Sequence, residues 1–133
     1  MKVTAKEEAG LLLMAHLAQL ADRGPVSLAQ IAEDSQVSLA YLEKVVPDLR
    51  RAGLVQSERG VNGGYTLTRP PEDITVAETL RALDGDILSS QCIGTGLENP
   101  CPKMGDCPVH SVWDLLYARV DTTLSAITLR DLA

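Results

Sequence analysis

One turn limits the fold of this chain more than any other feature. Asn62-Gly63-Gly64 lies between two short runs, 54–59 and 64–69, in which polar and apolar residues alternate. The Asn-Gly pair favours the positive φ angles of a tight turn, so the runs predict a β-hairpin, closed by Pro70-Pro71. Aromatic residues are scarce, with no Phe, one Trp and three Tyr. The core is therefore expected to consist of Leu, Val, Ile and Ala, a composition that favours helices packed on helices.

The segments on either side of the hairpin have the apolar spacing of helices. Capping-box patterns, Ser27 with Gln30 and Thr75 with Glu78, mark two helix starts, and Ser38 is the expected N-cap of a third helix. The predicted helices are residues 4–22, the segments that follow Ser27 and Ser38, the segment from Thr75 to Gly85, and a long C-terminal helix with Val112, Leu116, Val120, Leu124 and Ile127 on one face. This order predicts a mainly α fold, a winged helix-turn-helix with a two-stranded β wing at residues 1–72 and an appended helical unit at 73–133.

In a helix-turn-helix the second helix enters the major groove of DNA, and here that helix follows Ser38. The residues predicted to contact DNA are Ser38, Tyr41, Glu43, Lys44, Arg50, Arg59 and Gly63. The two hydroxyls can pair with phosphates or bases, Glu43 can accept from a cytosine amino group, and Lys44 and Arg50 would contact phosphates. Arg59 in the wing could enter a minor groove, and Gly63 would let the wing backbone approach DNA. In the alternative interpretation Ser38 only caps its helix, Glu43 and Lys44 are solvated, and the hairpin is scaffold.

The net charge of −6 is unevenly distributed along the chain. Residues 1–70 carry eight Lys and Arg against eight Asp and Glu, whereas residues 71–133 carry four against ten. The predicted DNA-binding half is thus neutral, and the acidity does not exclude nucleic acid as a partner.

The sequence predicts a cytoplasmic protein without a membrane partner. The longest apolar run, Ala9–Ala15, is too short to span a bilayer, and the first ten residues contain acids where a secretory signal needs an apolar stretch. No glycine-rich phosphate loop and no Ser/His/Asp set is present, and His16 and His110 are the only histidines. We therefore expect neither an enzyme nor a small-molecule substrate, with a small electron-transfer protein as an alternative.

All three cysteines lie in one Pro- and Gly-rich stretch, as Cys92, Cys101 and Cys107, and His110 follows. An odd number of thiols in a reducing compartment argues against a disulfide framework. Three sulfur donors and one imidazole suit an iron–sulfur cluster or zinc. The pair Cys-x2–4-Cys that is typical of structural zinc is missing, and three metal-free thiols that sense oxidants form a third possibility.

Several longer motifs carry a family resemblance: GPVSLAQIAE, YLEKVVPDLRRAGLVQSERGVNGGYTLTRPPEDIT, CPVHSVW and ITLRDLA. Over nearly its whole length the chain resembles the IscR/NsrR-type regulators of the Rrf2 family of winged-helix transcription factors. The resemblance implies a homodimer that is paired through the C-terminal helix and bound to a near-palindromic double-stranded DNA operator. It also implies that residues 73–133 form a cluster-binding loop and a dimerisation helix.

The same resemblance implies an iron–sulfur cluster held by Cys92, Cys101 and Cys107. His110 matches the histidine of IscR-like members, and Glu8 matches the carboxylate that the partner subunit supplies in NsrR-like members. We expect His110 as the fourth ligand and a 2Fe–2S cluster, with Glu8 and a 4Fe–4S cluster as alternatives. The expected function is a regulator whose operator affinity depends on a cluster that senses redox state, iron–sulfur status or nitric oxide. A cluster-free regulator of the same fold that senses thiols or a metabolite is the alternative.

Overall fold

The computed structural model describes residues 3–84 and 106–133. The elements in this part of the chain are α1 (Ala5–Gln19), α2 (Leu28–Ser35), α3 (Leu39–Arg51), β1 (Val55–Glu58), β2 (Gly64–Leu67), α4 (Val76–Asp84), α5 (His110–Ala126) and α6 (Leu129–Leu132). The two strands pair antiparallel. The prediction of a mainly helical fold with one two-stranded sheet is confirmed. The predicted stop of α4 at Gly85 lies outside the described residues.

The core is aliphatic, as the composition predicts. Its fully buried side chains come from α1, α2, α3, α4, α6 and the segments beside them, and the largest aliphatic ones are Leu13, Met14, Ile31, Leu42, Leu49, Ile74 and Leu129. Each fully buried aliphatic side chain contributes roughly 1.5–3 kcal/mol to the free energy of folding. The helices that carry the candidate DNA contacts therefore share one core with the C-terminal α6.

Helix α1 is shorter than predicted. The sequence predicts a helix over 4–22, but α1 ends at Gln19, and Ala21–Arg23 form a 3-10 turn before Gly24, whose φ is 83°. Within α1, Gly10 lies against α4, and a Cβ at this position would be 2.4 Å from Leu83 Cδ1. The missing side chain thus permits the close approach of α1 and α4.

One of the two predicted capping boxes is complete. The backbone N–H of Glu78 donates to Thr75 Oγ1 and the backbone N–H of Thr75 donates to Glu78 Oε2, both at 3.1 Å. At Ser27 only the first half forms, with a hydrogen bond of 3.2 Å from the backbone N–H of Gln30. The Gln30 side chain donates instead to Asp34 at 3.0 Å, because residues four apart are neighbours on a helix surface. The reciprocal contact predicted for Gln30 is wrong.

The wing has a longer loop than its Asn-Gly pair predicts. Glu58 pairs with Gly64, which leaves residues 59–63 as a five-residue connection rather than a tight two-residue turn. Within this connection the positive φ lies at Gly60, 116°, and not at Asn62 or Gly63. Gly63 is required for another reason, since a Cβ there would be 2.4 Å from the Glu58 carbonyl oxygen. The hairpin is confirmed, and its predicted turn type is wrong.

Helix α5 buries no residue completely, although its apolar residues have helical spacing. Val112 is 57% exposed, and Leu116, Val120 and Leu124 are half-buried. Ile127 was predicted to lie in this helix, but its backbone is extended, with φ −97° and ψ 124°, and α5 ends before it. The short helix α6 that follows is not predicted by the apolar pattern. No helix within residues 3–84 and 106–133 combines the length and the apolar character of a membrane span.

Candidate functional site

Helix α3 presents a polar face to solvent. Ser38 is its N-cap, and the Ser38 Oγ accepts a hydrogen bond of 3.2 Å from the backbone N–H of Tyr41. Glu43, Lys44 and Arg50 are all exposed on α3, outside its buried stripe of Leu42, Val45 and Leu49. An exposed row of this kind on the second helix of a helix-turn-helix is the surface that can enter a major groove.

Tyr41 lies apart from that exposed row. Its side chain is half-buried against the core and lines a cleft of about 290 Å³ together with Ala5, Glu8 and Val37. The cleft separates the first turns of α1 and α3. Tyr41 therefore lies on the flank of α3 that is turned toward α1, whereas Lys44 and Arg50 point to solvent.

The wing is attached directly to the segment before α2. Val26 and Tyr65 exchange two backbone hydrogen bonds, of 3.0 Å from the Val26 N–H and 2.8 Å from the Tyr65 N–H. Arg59 is exposed in the loop between the strands, and Gly63 is half-buried. The Val26–Tyr65 backbone contacts hold the base of the wing in a defined position relative to α2.

Two polar contacts at the first turn of α1 have no signal in the sequence. Lys6 forms an ion pair with Asp48 of α3, whose side chain is 17% exposed. The hydrogen bond between them raises the pKa of Lys6 and lowers the pKa of Asp48, so both groups stay charged near neutral pH. Thr4 Oγ1 donates to Asp84 at the end of α4 over 2.9 Å. The partners are far apart in the chain, and only the fold brings them together.

Cys107 and His110 lie at the start of α5. Cys107 is half-buried, and its carbonyl oxygen accepts a hydrogen bond of 3.3 Å from the backbone N–H of His110. The Nε2 of His110 lies 3.0 Å from Asp114 Oδ2. The Nδ1 of His110 is buried and has no hydrogen-bond partner, one of two such side-chain atoms among the described residues. Asp114 was not among the residues predicted for the site, although its spacing of four from His110 is a visible helix signal.

This arrangement fits a metal ligand. A histidine that binds a metal through one ring nitrogen usually has the other nitrogen held by a carboxylate or carbonyl group. A thiolate and an imidazole three residues apart, just before and at the start of a helix, are suitable donors for iron–sulfur clusters. Cys92 and Cys101 lie outside the described residues. Within residues 3–84 and 106–133 no three His, Cys, Asp or Glu side chains come together, and Glu8 is exposed on α1.

The chain matches known proteins over its full described length. The family model named Rrf2 and described as an iron-dependent transcriptional regulator matches residues 3–133. The HTH-type transcriptional regulator IscR of Aliivibrio salmonicida is 37% identical over 132 residues, 99% of this chain and 77% of that protein.

Two solved structures have the same fold. The structure of IscR from T. potens has a TM-score of 0.81 and 37% identity, and the match covers 99% of this chain and 85% of that one. The structure of CymR, the global cysteine regulator of B. subtilis, has a TM-score of 0.79 and 36% identity, and the match covers 100% of this chain and 96% of that one.

Proposed function

The chain belongs to the Rrf2 family of transcriptional regulators, and from this premise we propose that it is a homodimeric operator-binding protein whose affinity for DNA depends on an iron–sulfur cluster. It is a regulator and not an enzyme, as its family and relatives establish. The cluster would be held by Cys92, Cys101, Cys107 and His110. Residues 1–72 would contact DNA, and residues 73–133 would hold the cluster and pair the subunits.

The buried Nδ1 of His110 is the observation that carries the cluster proposal. A buried nitrogen without a partner costs about 1–3 kcal/mol, a cost that a bond to iron would remove. Asp114 holds the other ring nitrogen and so orients the imidazole. When bound, an iron–sulfur cluster supplies iron that reacts with oxidants or nitric oxide, which suits a sensor. A 2Fe–2S cluster is our preference because histidine can replace cysteine on one iron of that type.

A second copy of the chain is the proposed partner of α5. Val109, Val112, Trp113 and Leu115 are between 40% and 57% exposed on this helix. Further along α5 lies an apolar groove of about 890 Å³, formed by α1, α4, α5 and α6 and lined by Leu11, Leu12, Leu80, Val120, Leu124 and Leu132 among others. Apolar surface of this extent on a protein normally marks an interface. A pair of chains related by two-fold symmetry would cover both grooves with the same set of contacts.

The first turn of α1 offers a route from the cysteine segment to the DNA-reading helix. Asp84, the last described residue before that segment, accepts a hydrogen bond from Thr4, and Lys6 pairs with Asp48 of α3. A change in the position of the segment that follows Asp84 would therefore reach Thr4, and through the first turn of α1 it would reach the Lys6–Asp48 ion pair on α3. An effect of about 1–3 kcal/mol on operator affinity is sufficient for a regulatory switch.

The proposed function is tested by purifying the protein without oxygen, measuring its visible spectrum, iron and sulfide, and assaying its binding to the DNA upstream of its own gene. We expect a brown protein whose operator affinity changes when the cluster is removed. Colourless, iron-free protein that still binds DNA would exclude the cluster and leave the regulator. No salt-sensitive binding in either cluster state would exclude the regulator and favour an electron carrier.

Lys44 is expected to contribute to DNA affinity through a phosphate contact. Replacing Lys44 with Gln should weaken binding to all sequences alike and reduce the salt slope of the binding constant by about 1. Fluorescence anisotropy over a series of salt concentrations measures both effects. Arg130→Gln is the matched control, because Arg130 is an exposed cation on α6 that pairs with Glu72. Equal salt slopes for the wild type and Lys44→Gln would contradict a phosphate contact.

The choice between His110 and Glu8 as the fourth ligand is open to a direct comparison. His110→Gln is expected to lose the cluster at least about tenfold faster than the wild type, whereas Glu8→Gln should retain it. The loss is followed in visible absorbance under a chelator. His16→Gln is the control, since His16 is another half-buried helical histidine, with its Nδ1 2.8 Å from the Leu12 carbonyl oxygen. The reverse result would assign the fourth position to Glu8.

The likeness to CymR favours a second candidate, a cluster-free regulator of the same fold that senses thiols or a metabolite. In this case Cys107 would act as a free thiol. Oxidant treatment of iron-free protein would then change operator affinity, and the change would be absent in Cys107→Ser. The iron and sulfide analysis separates this candidate from the first one.

A further inference from the structure

The C-terminal end of α5 is attached to the rest of the molecule by backbone hydrogen bonds. The N–H of Val76 donates to the Ile127 carbonyl oxygen over 2.8 Å, and the N–H of Leu129 donates to the Ile74 carbonyl oxygen over 2.9 Å. Ile74 and Leu129 are both fully buried. This short bridge fixes one point of α5, just beyond its last residue.

A second attachment lies one to two turns earlier along α5. Arg81 of α4 donates a hydrogen bond to Asp121 and forms an ion pair with it. The Tyr117 and Asp121 side chains together raise the pKa of Arg81, so the guanidinium stays charged. Tyr117 and Asp121 are four residues apart, so they lie on one face of α5. Ser125, a further turn along, donates to the Asp121 carboxylate over 3.4 Å. A guanidinium on α4 thus anchors α5 at Asp121, on the face of the helix that also carries Tyr117.

These two attachments together determine the direction of α5. The bridge at Ile127 alone would act as a pivot, and the apolar side chains of α5, such as Leu116 and Val120, are at most half-buried, so they restrain its direction less than a packed core would. Arg81 restrains the helix at a second point, and its planar guanidinium can hold the Asp121 carboxylate in a fixed geometry. Helix α4 is itself packed closely on α1 through Gly10 and Leu83. The angle between α5 and the body that carries α3 therefore depends on Arg81.

We propose that Arg81 sets the angle of α5 relative to α3 and thereby selects the spacing between operator half-sites that the dimer recognises. This inference rests on the proposed function, because α5 must pair two copies that bind DNA. With subunits joined through α5, its angle determines the distance between the two copies of α3. Half-sites lie about 34 Å apart, and one added base pair moves a half-site by about 3.4 Å and rotates it by about 34°. Arg81 is in this sense a positioning residue that does not itself contact DNA.

The test measures binding against half-site spacing. A palindromic site is first selected from a random DNA library with the wild-type protein, and variants of that site are made with one or two base pairs removed or added at the centre. For the wild type we expect affinity to fall roughly tenfold for one base pair of change, which is about 1.4 kcal/mol. For Arg81→Gln we expect a fall of less than about threefold. Arg130→Gln is the control and should keep the wild-type profile, because it removes only an exposed ion pair between Arg130 on α6 and Glu72.

A restored profile in the charge-swapped double variant Arg81→Asp with Asp121→Arg would further support the inference. If Arg81→Gln does not fold, as judged by circular dichroism, Arg81→Lys replaces it, because lysine keeps the charge but not the planar fork. Lysine should give an intermediate profile. If Arg81→Gln binds every site more weakly but keeps the wild-type dependence on spacing, the role of Arg81 is merely structural and the inference is overturned. An Arg81→Gln profile identical to that of the wild type would also overturn it. Absence of operator binding by the wild type would overturn the proposed function as well.

Discussion

Cys107→Ser protein purified without oxygen is expected to be colourless, to lose nearly all iron and sulfide, and to bind operator DNA with one fixed affinity. The reason is that a serine hydroxyl replaces a thiolate ligand at the start of α5. Removing a partner of a metal ligand already lowers metal affinity roughly 10–100-fold, and removing a ligand itself should exceed that. Iron and sulfide analysis, the visible spectrum and a gel shift with and without reconstitution measure the effect.

Ser111→Ala is the control for local disturbance, because Ser111 is exposed in the first turn of α5 between the candidate ligand His110 and its partner Asp114. It should keep the colour, the iron and the regulated binding of the wild type. Cys107→Ser protein with wild-type iron content would show that Cys107 is not a ligand. If the operator affinity of the wild type, like that of Cys107→Ser, does not change when the cluster is added or removed, the proposal that the cluster controls operator affinity is contradicted.

Leu129→Ala is expected to lower the free energy of unfolding by about 2–5 kcal/mol, the range found for large-to-small changes in a packed core. Leu129 is fully buried, in a core that also contains Leu13 of α1 and Leu42 of α3. The lost side chain should leave a cavity, and the effect should reach the DNA-binding half since both halves share this core. Chemical unfolding in urea, followed by circular dichroism, gives the change.

Val61→Ala is a suitable control for this measurement, because Val61 is fully exposed at the wing. Its effect on the free energy of unfolding should stay within about 0.5 kcal/mol. A Leu129→Ala protein as stable as Val61→Ala would mean that α6 does not stabilise the core in solution.

The residues of the candidate site could be predicted from the sequence only in part. The three cysteines and His110 stand out in the sequence because thiols and imidazole are rare here and close together. The role of Asp114 depends on where α5 begins, since only a helix brings it to 3.0 Å from the His110 ring. For Tyr41 the pattern predicted a DNA contact, whereas the fold turns this residue toward α1, because α1 packs along that side of α3. Its contact with DNA stays a prediction.

Local signals determined the type and order of most elements. N-caps such as Ser38 and Thr75, the aliphatic spacing and the hairpin runs act over a few residues, so they can be interpreted from the sequence alone. The tertiary structure alone decided the contacts between distant segments: Lys6 with Asp48, Thr4 with Asp84, Arg81 with Asp121, and Leu129 in the core. Such contacts arise from packing of several helices around one core, and no short-range pattern specifies which charged or apolar residues then meet.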